Sequence, residues 1–510
     1  MFWVILLQKV LFLKNTALLT ATAVILRLGG VIVKVWLAAR LGSRGMGVYS
    51  LLFSFYAFAA AIVGSGISTA VTRVLSENEI SKSSAQKAVS KGIYIGIFSA
   101  LSQVVFIIPL SKIIAAFLFG DALLAPAVRA TAFSLPFMGF SSAVRGYFVA
   151  RKKALPLSIS SIAEQAVRIC LIFVAVSKFS HMGAPFLCCV VFMCDAAAEA
   201  TCAVVLFAFY RINLSVLPKA ESTHGGKLLR IALPVNLSRY INSLLRAAEN
   251  MLVPKMLIKG GMDTGRALGV LGNIKGMALP VLLFPAAILN AVSTLLVPEI
   301  SSAKAKGQTG IVKSEVIKVY KITAQIGLLC AAVFFAAGRQ IGLAVYKSED
   351  AGRLITVLSP LVPLMYLDSV CDGLIKGLDC QAAAFKYTVS DSLLRIILVV
   401  ILLPVLGVKG FIIIMYISNI FTCSLNMFKL FKTVNIKKRT LFSLVLPTVF
   451  SFLPCFCLGQ LFCALNVNGI AYILLVAATG GGAYVVLLEA LKISAVPLNN
   501  FKRLKKVRRV

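Results

Sequence analysis

Acidic side chains are scarce in this chain: 18 Asp and Glu stand against 52 Lys and Arg in 510 residues. Charge of either sign is thin as well, at 14% of positions, where soluble domains carry about a quarter. That excludes an ordinary water-soluble globular protein. Histidine occurs twice, at His181 and His224, and neither the histidines nor the 12 cysteines fall at the spacing of a zinc site. Cys188/Cys189 and Cys455/Cys457 read as small apolar fillers. Between the apolar runs no segment is long enough to carry an extramembrane catalytic cluster, so an enzyme is not expected, and no catalytic, metal-ligating or cofactor-holding set is assigned.

What is present is hydrophobic length. Hydrophobic residues make up 59% of the chain, gathered in about fourteen runs of the roughly 20 residues that a helix needs to cross a bilayer. The expected fold is an all-α, polytopic membrane protein. Its first runs cover 17–41 and 48–72, the seventh 229–256, and the last two 441–464 and 469–491. The apolar N-terminal stretch lacks a small-residue cleavage site and is expected to be an interfacial helix feeding span 1.

A formal charge of +34 suggests nucleic acid until the basic residues are placed. With the N-terminus inside, about 33 of the 52 Lys and Arg fall in the even-numbered connections and the two tails. Lys82, Lys87 and Lys91 are among them, as are Arg151 to Lys153 and the tail from Lys502. This bias predicts both termini in the cytoplasm, with no nucleic-acid partner.

The chain also repeats itself. Displaced by 227 residues, Pro136, Ser142, Gly146 and Arg168 fall on Pro363, Ser369, Gly373 and Arg395, and Glu164 falls on Asp391. Each unit would hold six spans, an even number, so the two are related by an axis along the membrane normal. The expected arrangement is two pseudo-symmetric six-helix lobes around a central cavity, plus two extra C-terminal helices. The boundaries are 1–210 for the first lobe, 211–230 for a cytoplasmic linker, 231–431 for the second lobe, and 432–510 for spans 13 and 14 with the basic tail.

Span 1 carries Arg27 and Lys34 inside its apolar run. A cation near mid-membrane costs about 2.5–3.5 kcal/mol on insertion scales, so it faces water or a partner rather than lipid. Seven residues apart, these two share a helix face. Span 7 repeats the device with Arg239 and Arg246. Because span 1 holds no carboxylate, the expected role of these four cations is to bind an anionic group such as phosphate, which guanidinium grips in a bidentate way; the alternative is that each is tied to a carboxylate of another span or snorkels to the interface.

Among the carboxylates within spans, Glu164/Arg168 and Asp391/Arg395 have i,i+4 spacing and are expected to be structural ion pairs. Glu249 stands three residues after Arg246 and could pair with it. Asp195 and Glu199, four apart on span 6, read as an isolated acidic pair able to hold a proton or sodium ion; pairing with a cation of a neighbouring span is the alternative. Together with Glu249 they are the candidates for ion coupling.

Three stretches carry a resemblance. ARLGSRGMGVYS (39–50), after a basic first span, resembles the signature of polysaccharide and lipid-oligosaccharide flippases. GISTAVTRVLSE (66–77) looks like the end of span 2 in that group. LPVNLSRYINSLLRAAENMLVPK (233–255) resembles span 7 of the stage V sporulation protein B family. These families and the lipid II flippases belong to the multidrug/oligosaccharidyl-lipid/polysaccharide exporter superfamily. The resemblance implies an alternating-access flippase for a polyprenyl-pyrophosphate-linked sugar, such as a peptidoglycan or polysaccharide precursor, working as a monomer in the bacterial cytoplasmic membrane. By the same resemblance the pyrophosphate falls to Arg27, Lys34, Arg239 and Arg246, with Arg40, Arg44 and Arg73 at the rim. An acidic residue that some members place in span 1 is absent, which leaves proton and sodium both open as the coupling ion. The alternative is a cation-coupled multidrug antiporter of the same superfamily. That activity calls for an acidic, aromatic cavity, the opposite of what span 1 offers.

Overall fold

Helices account for most of the described backbone of the computed structural model, which describes residues 2–76, 82–215, 228–287, 289–290, 300–301, 303–304, 306–436 and 469–490. No strand occurs among them, as the all-α expectation required. Span 13, most of the 211–230 linker and the basic tail lie outside the described residues.

The chain divides into two compact units, 1–272 and 273–510. The first contains α1 (Phe2–Ser76), α2 (Lys82–Ile114), α3 (Ala125–Ala150), α4 (Ala154–Lys178), α5 (Ala184–Ser215), α6 (Leu228–Lys259) and α7 (Thr264–Leu271). The second contains α8 (Thr309–Tyr346), α9 (Glu349–Leu358), α10 (Val362–Gly377), α11 (Gln381–Val434), α12 (Gly469–Leu475) and α13 (Gly481–Ala490).

Eight of these helical stretches are long and apolar enough to cross a membrane. Two of them, Ala17–Ser76 and Gln381–Val434, run 60 and 54 residues, twice or more what one crossing needs. Each is broken once by a glycine. Gly42 has φ 65° and ψ −176°, and Gly407 has φ 55° and ψ −129°. Such positive-φ backbone is closed to side chains with a Cβ, so glycine alone lets the helix end and restart there. The break at Gly42 falls between the first and second expected spans, and that at Gly407 between the eleventh and twelfth, expected at 386–406 and 408–430. The helix α6 is less apolar and falls outside that set, although its 32 residues are ample for a crossing.

In the first unit the core lies between α1, α2, α3 and α5. Val71, Val89, Tyr147, Phe148 and Leu206 are fully buried there, and the Tyr147 ring stands edge-on to Tyr210 at 5.1 Å. On the outer side of α2, Phe98, Val105, Phe106 and Ile113 are exposed along one helical stripe. A stripe of that kind suits hydrocarbon and not water.

The signature stretch at 39–50 forms the joint between α1 and α7. A Cβ on Gly47 would sit 2.0 Å from the Leu268 carbonyl oxygen, and one on Gly272 would sit 1.9 Å from that of Ser43. Backbone therefore lies against backbone at this joint. In the second unit, α12 and α13 are held to α8 by Tyr472, whose hydroxyl donates to the Ala336 carbonyl at 3.2 Å, and by Tyr484, which donates to that of Gln325 at 3.0 Å.

Candidate functional site

The four predicted cations lie on two helices of the first unit. Arg27 is exposed on the first half of α1 and Lys34 is half-buried two turns later; Arg239 and Arg246 are exposed on α6. Among the described residues neither Arg27 nor Arg246 has an ion-pair partner. Lys34 lies over the Phe53 ring, its ammonium 5.7 Å from the centroid, and is close enough to Arg27 for the two charges to interact. The residue after Phe53 completes the link to the other helix, since Ser54 accepts a 2.7 Å hydrogen bond from the Asn250 side-chain amide, one turn beyond Arg246. Ser243 adds a longer bond to the Ala57 carbonyl at 3.4 Å. A chain of contacts thus runs from Lys34 through Phe53 and Ser54 to Asn250.

Of the rim residues, Arg40 stacks over Trp36 at 5.3 Å. Arg44 lies beside Gly265 at the start of α7, and Arg73 is exposed near the end of α1. The anticipated pairing of Arg246 with Glu249 does not form. Glu249 is on the buried side of α6 whereas Arg246 is on the exposed side.

A second polar centre is built where α3, α4 and α5 meet. Arg168 binds Glu164 at 2.7 Å and Gln165 at 2.8 Å on its own helix, and reaches across to Asp195 on α5. Glu199 lies 3.8 Å from the same guanidinium. Arg145, from α3, binds the other Glu164 oxygen at 3.1 Å, Ser161 at 3.3 Å and the Cys202 sulfur at 3.0 Å. The i,i+4 pair expected at Glu164/Arg168 is present. The acidic pair at Asp195/Glu199 is not isolated, because Arg168 joins both of its members to Glu164. This network borders a cavity of about 490 Å³.

The second unit shows what the same positions become after the 227-residue displacement. Arg395 pairs with Asp391 at 3.0 Å and donates to Ser418, repeating the Arg168–Glu164 motif. At the counterparts of Asp195 and Glu199, however, stand Thr422 and Asn426, and Asn426 donates to Asp368 at 2.8 Å. The repeat keeps its ion pair while its other nearby carboxylates, Asp368 and Asp372, stand at the counterparts of Ser141 and Arg145. Arg145 was missed by the sequence reading. Its signal was a charge reversal within the repeat, since the same displacement places it on Asp372.

No group of three or more His, Cys, Asp or Glu able to hold a metal ion occurs among the described residues.

Comparison with known proteins follows the same lines. Residues 12–304 match a family model described as "Polysaccharide biosynthesis protein". The chain is 24% identical over 420 residues to stage V sporulation protein B of Bacillus subtilis (strain 168), a match that covers 79% of this chain and 80% of that one. Sporulation protein YkvU of the same organism is 22% identical over 358 residues, covering 68% and 78%. Among solved structures, the lipid II flippase MurJ in an inward closed conformation superposes with a TM-score of 0.72 at 14% identity, over 93% of this chain and 98% of that one. An inward-facing multidrug resistance MATE family transporter gives 0.61 at 15% identity, over 82% and 99%. At these identities the structural matches establish a shared fold.

Proposed function

Because this chain belongs to the polysaccharide biosynthesis protein family, we propose that it is a flippase that carries a polyprenyl-pyrophosphate-linked sugar across the bacterial cytoplasmic membrane. The observation that carries this reading is the exposure of Arg27 and Arg246, without ion-pair partners among the described residues, on helices of membrane-spanning length. A cation held in an apolar setting at the cost given above needs an anion to offset it. A pyrophosphate supplies oxygens for bidentate contact, while the attached polyprenyl tail stays in lipid. Arg27, Lys34, Arg239 and Arg246 grip the pyrophosphate in this scheme, and Arg40, Arg44 and Arg73 lie toward the rim.

The similarity to stage V sporulation protein B and the fold shared with a lipid II flippase support a cell-wall or polysaccharide precursor as cargo, and a transporter rather than an enzyme. Alternating access would expose the cationic faces to each side of the membrane in turn, with both chain termini in the cytoplasm and a monomer as the working unit. We place the coupling ion, a proton or sodium, at Asp195 and Glu199, with Glu249 as a further candidate. Of the first two, Glu199 is the less tightly held, at 3.8 Å from Arg168.

Native mass spectrometry tests the reading by presenting the purified protein with a polyprenyl-pyrophosphate sugar and with a cationic drug, wild type beside Arg246→Ala. Retention of the pyrophosphate lipid by wild type, weakened in the variant, is the expected result. Drug binding with no preference for the lipid would replace the flippase with a multidrug antiporter.

A further inference from the structure

The cavity bordered by Arg145 and Arg168 has a composition that the pyrophosphate does not explain. Its volume of about 490 Å³ falls within the range of about 300–1,000 Å³ typical of small-molecule sites. The lining is dense in hydroxyls, from Ser68, Ser141, Ser142 and Ser161, with the carboxylates of Glu164 and Glu199 among them. Both guanidiniums that reach it are already bound to carboxylates. A phosphate entering here would have to break those pairs beside three acidic groups, so the site disfavours an anion.

Two features suit the cavity to a ligand rich in hydroxyls. Ser141 is 2% exposed and lines the space, yet its hydroxyl has no hydrogen-bond partner among the described residues. Buried hydroxyls are ordinarily satisfied, and a ligand hydroxyl would satisfy this one. The Glu164 carboxylate and the Gln165 amide are held in place by the two arginines, which fixes planar polar groups along the cavity wall. Groups fixed in that way suit the paired hydroxyls of a sugar, because little ordering remains to be done on binding.

Position adds the last link. Leu26 lines the cavity, and its chain neighbour on α1 is Arg27, proposed above to take the pyrophosphate. We infer that this cavity is the subsite for the uncharged, hydroxylated sugar attached to that pyrophosphate, and that it selects neutral over acidic sugars. The inference rests on the flippase reading and extends it by assigning the two ends of the headgroup to different places.

Gly64 provides a clean test. It lines the cavity, and a Cβ built on it meets nothing within 4 Å, so a Gly64→Leu side chain starts into the space without a clash at its first carbon. Ser141→Ala, which removes only the orphaned hydroxyl, is the second variant. Binding of undecaprenyl diphosphate and of the same lipid bearing one N-acetylhexosamine would be measured by native mass spectrometry on the full chain. Wild type should prefer the sugar-bearing lipid about tenfold, a margin of about 1.4 kcal/mol. Gly64→Leu should abolish that preference, and Ser141→Ala should reduce it, while both bind the bare lipid within twofold of wild type. Equal binding of the two lipids by wild type overturns the sugar site and leaves the flippase standing. An equal fall for both lipids in Gly64→Leu also overturns it, since the cavity would then serve the pyrophosphate or the fold. Binding of neither lipid by wild type overturns the flippase and the sugar site together.

Discussion

The side-chain amide of Asn250 donates to the Ser54 hydroxyl at 2.7 Å, and this bond joins the helix that carries Arg246 to the helix that carries Lys34. A neutral hydrogen bond of this kind is worth about 1 kcal/mol, modest beside the packing of two long helices. Its importance is positional, because a spanning helix that slips along its partner carries its cations with it.

Asn250→Ala and Ser54→Ala should therefore each lower stability in detergent by about 1 kcal/mol. The double variant should cost less than the sum, since either change breaks the same bond. Thermal unfolding of the four proteins measures this. Strict additivity would mean that the bond does not hold the helices together.

Removing a cation should act on transport and spare the fold. Charge-assisted hydrogen bonds contribute about 1.5–3 kcal/mol, so Arg27→Ala or Arg246→Ala should slow flipping by about 10-fold to 100-fold in proteoliposomes. The elution profile in detergent should stay monodisperse. Arg27→Lys should recover part of the loss, because it restores charge without the bidentate fork. Normal flipping by both alanine variants would remove these residues from the site.

The two repeat-related arginines should behave differently. Arg168 is joined to Glu164, Asp195 and Glu199, and taking one partner from a buried ion network costs about 3–5 kcal/mol. Arg395 pairs with Asp391 at a position whose neighbours are Thr422 and Asn426, so Arg395→Gln should be the milder change. Exchanging Glu164 and Arg168 should also reduce folded yield, because the exchange would set a glutamate against Asp195. Thermal shifts and membrane yields of the three variants decide the order, and an Arg395→Gln effect as large as that of Arg168→Gln would refute the asymmetry.

The helical class and the paired cations were legible in the sequence because both rest on spacing. Arg27 and Lys34 are seven apart and so share a face whatever packs around them, and Glu164 and Arg168 are neighbours within one helix. The network around Arg168 was not legible. Asp195 lies 27 residues away in the chain, and only the packing of α4 on α5 brings them together. The same holds for the cavity at Ser141, whose walls come from α1, α3, α4 and α5 at once. The expected Arg246–Glu249 contact failed for the converse reason: close spacing permits a pair, but burial of α6 on one side draws the carboxylate away from the exposed guanidinium.

Gly42 is where the local and the global reading meet, and it yields the sharpest stability prediction. Its φ of 65° with ψ of −176° lies in a region essentially reserved for glycine, where another residue costs about 1–3 kcal/mol. Space is not the obstacle, since a Cβ there meets nothing within 4 Å. Backbone strain is then the only penalty of Gly42→Ala, and it competes with the gain of about 1 kcal/mol that alanine has over glycine inside a helix. The first outcome destabilises with the break intact, while the second straightens α1 and carries the second span out of line with α7. Both predict lower thermal stability and loss of flipping, whereas Gly30→Ala, in regular helix with open space around it, should be neutral or stabilising. Equal tolerance of the two substitutions would show that the break in α1 is not set by Gly42.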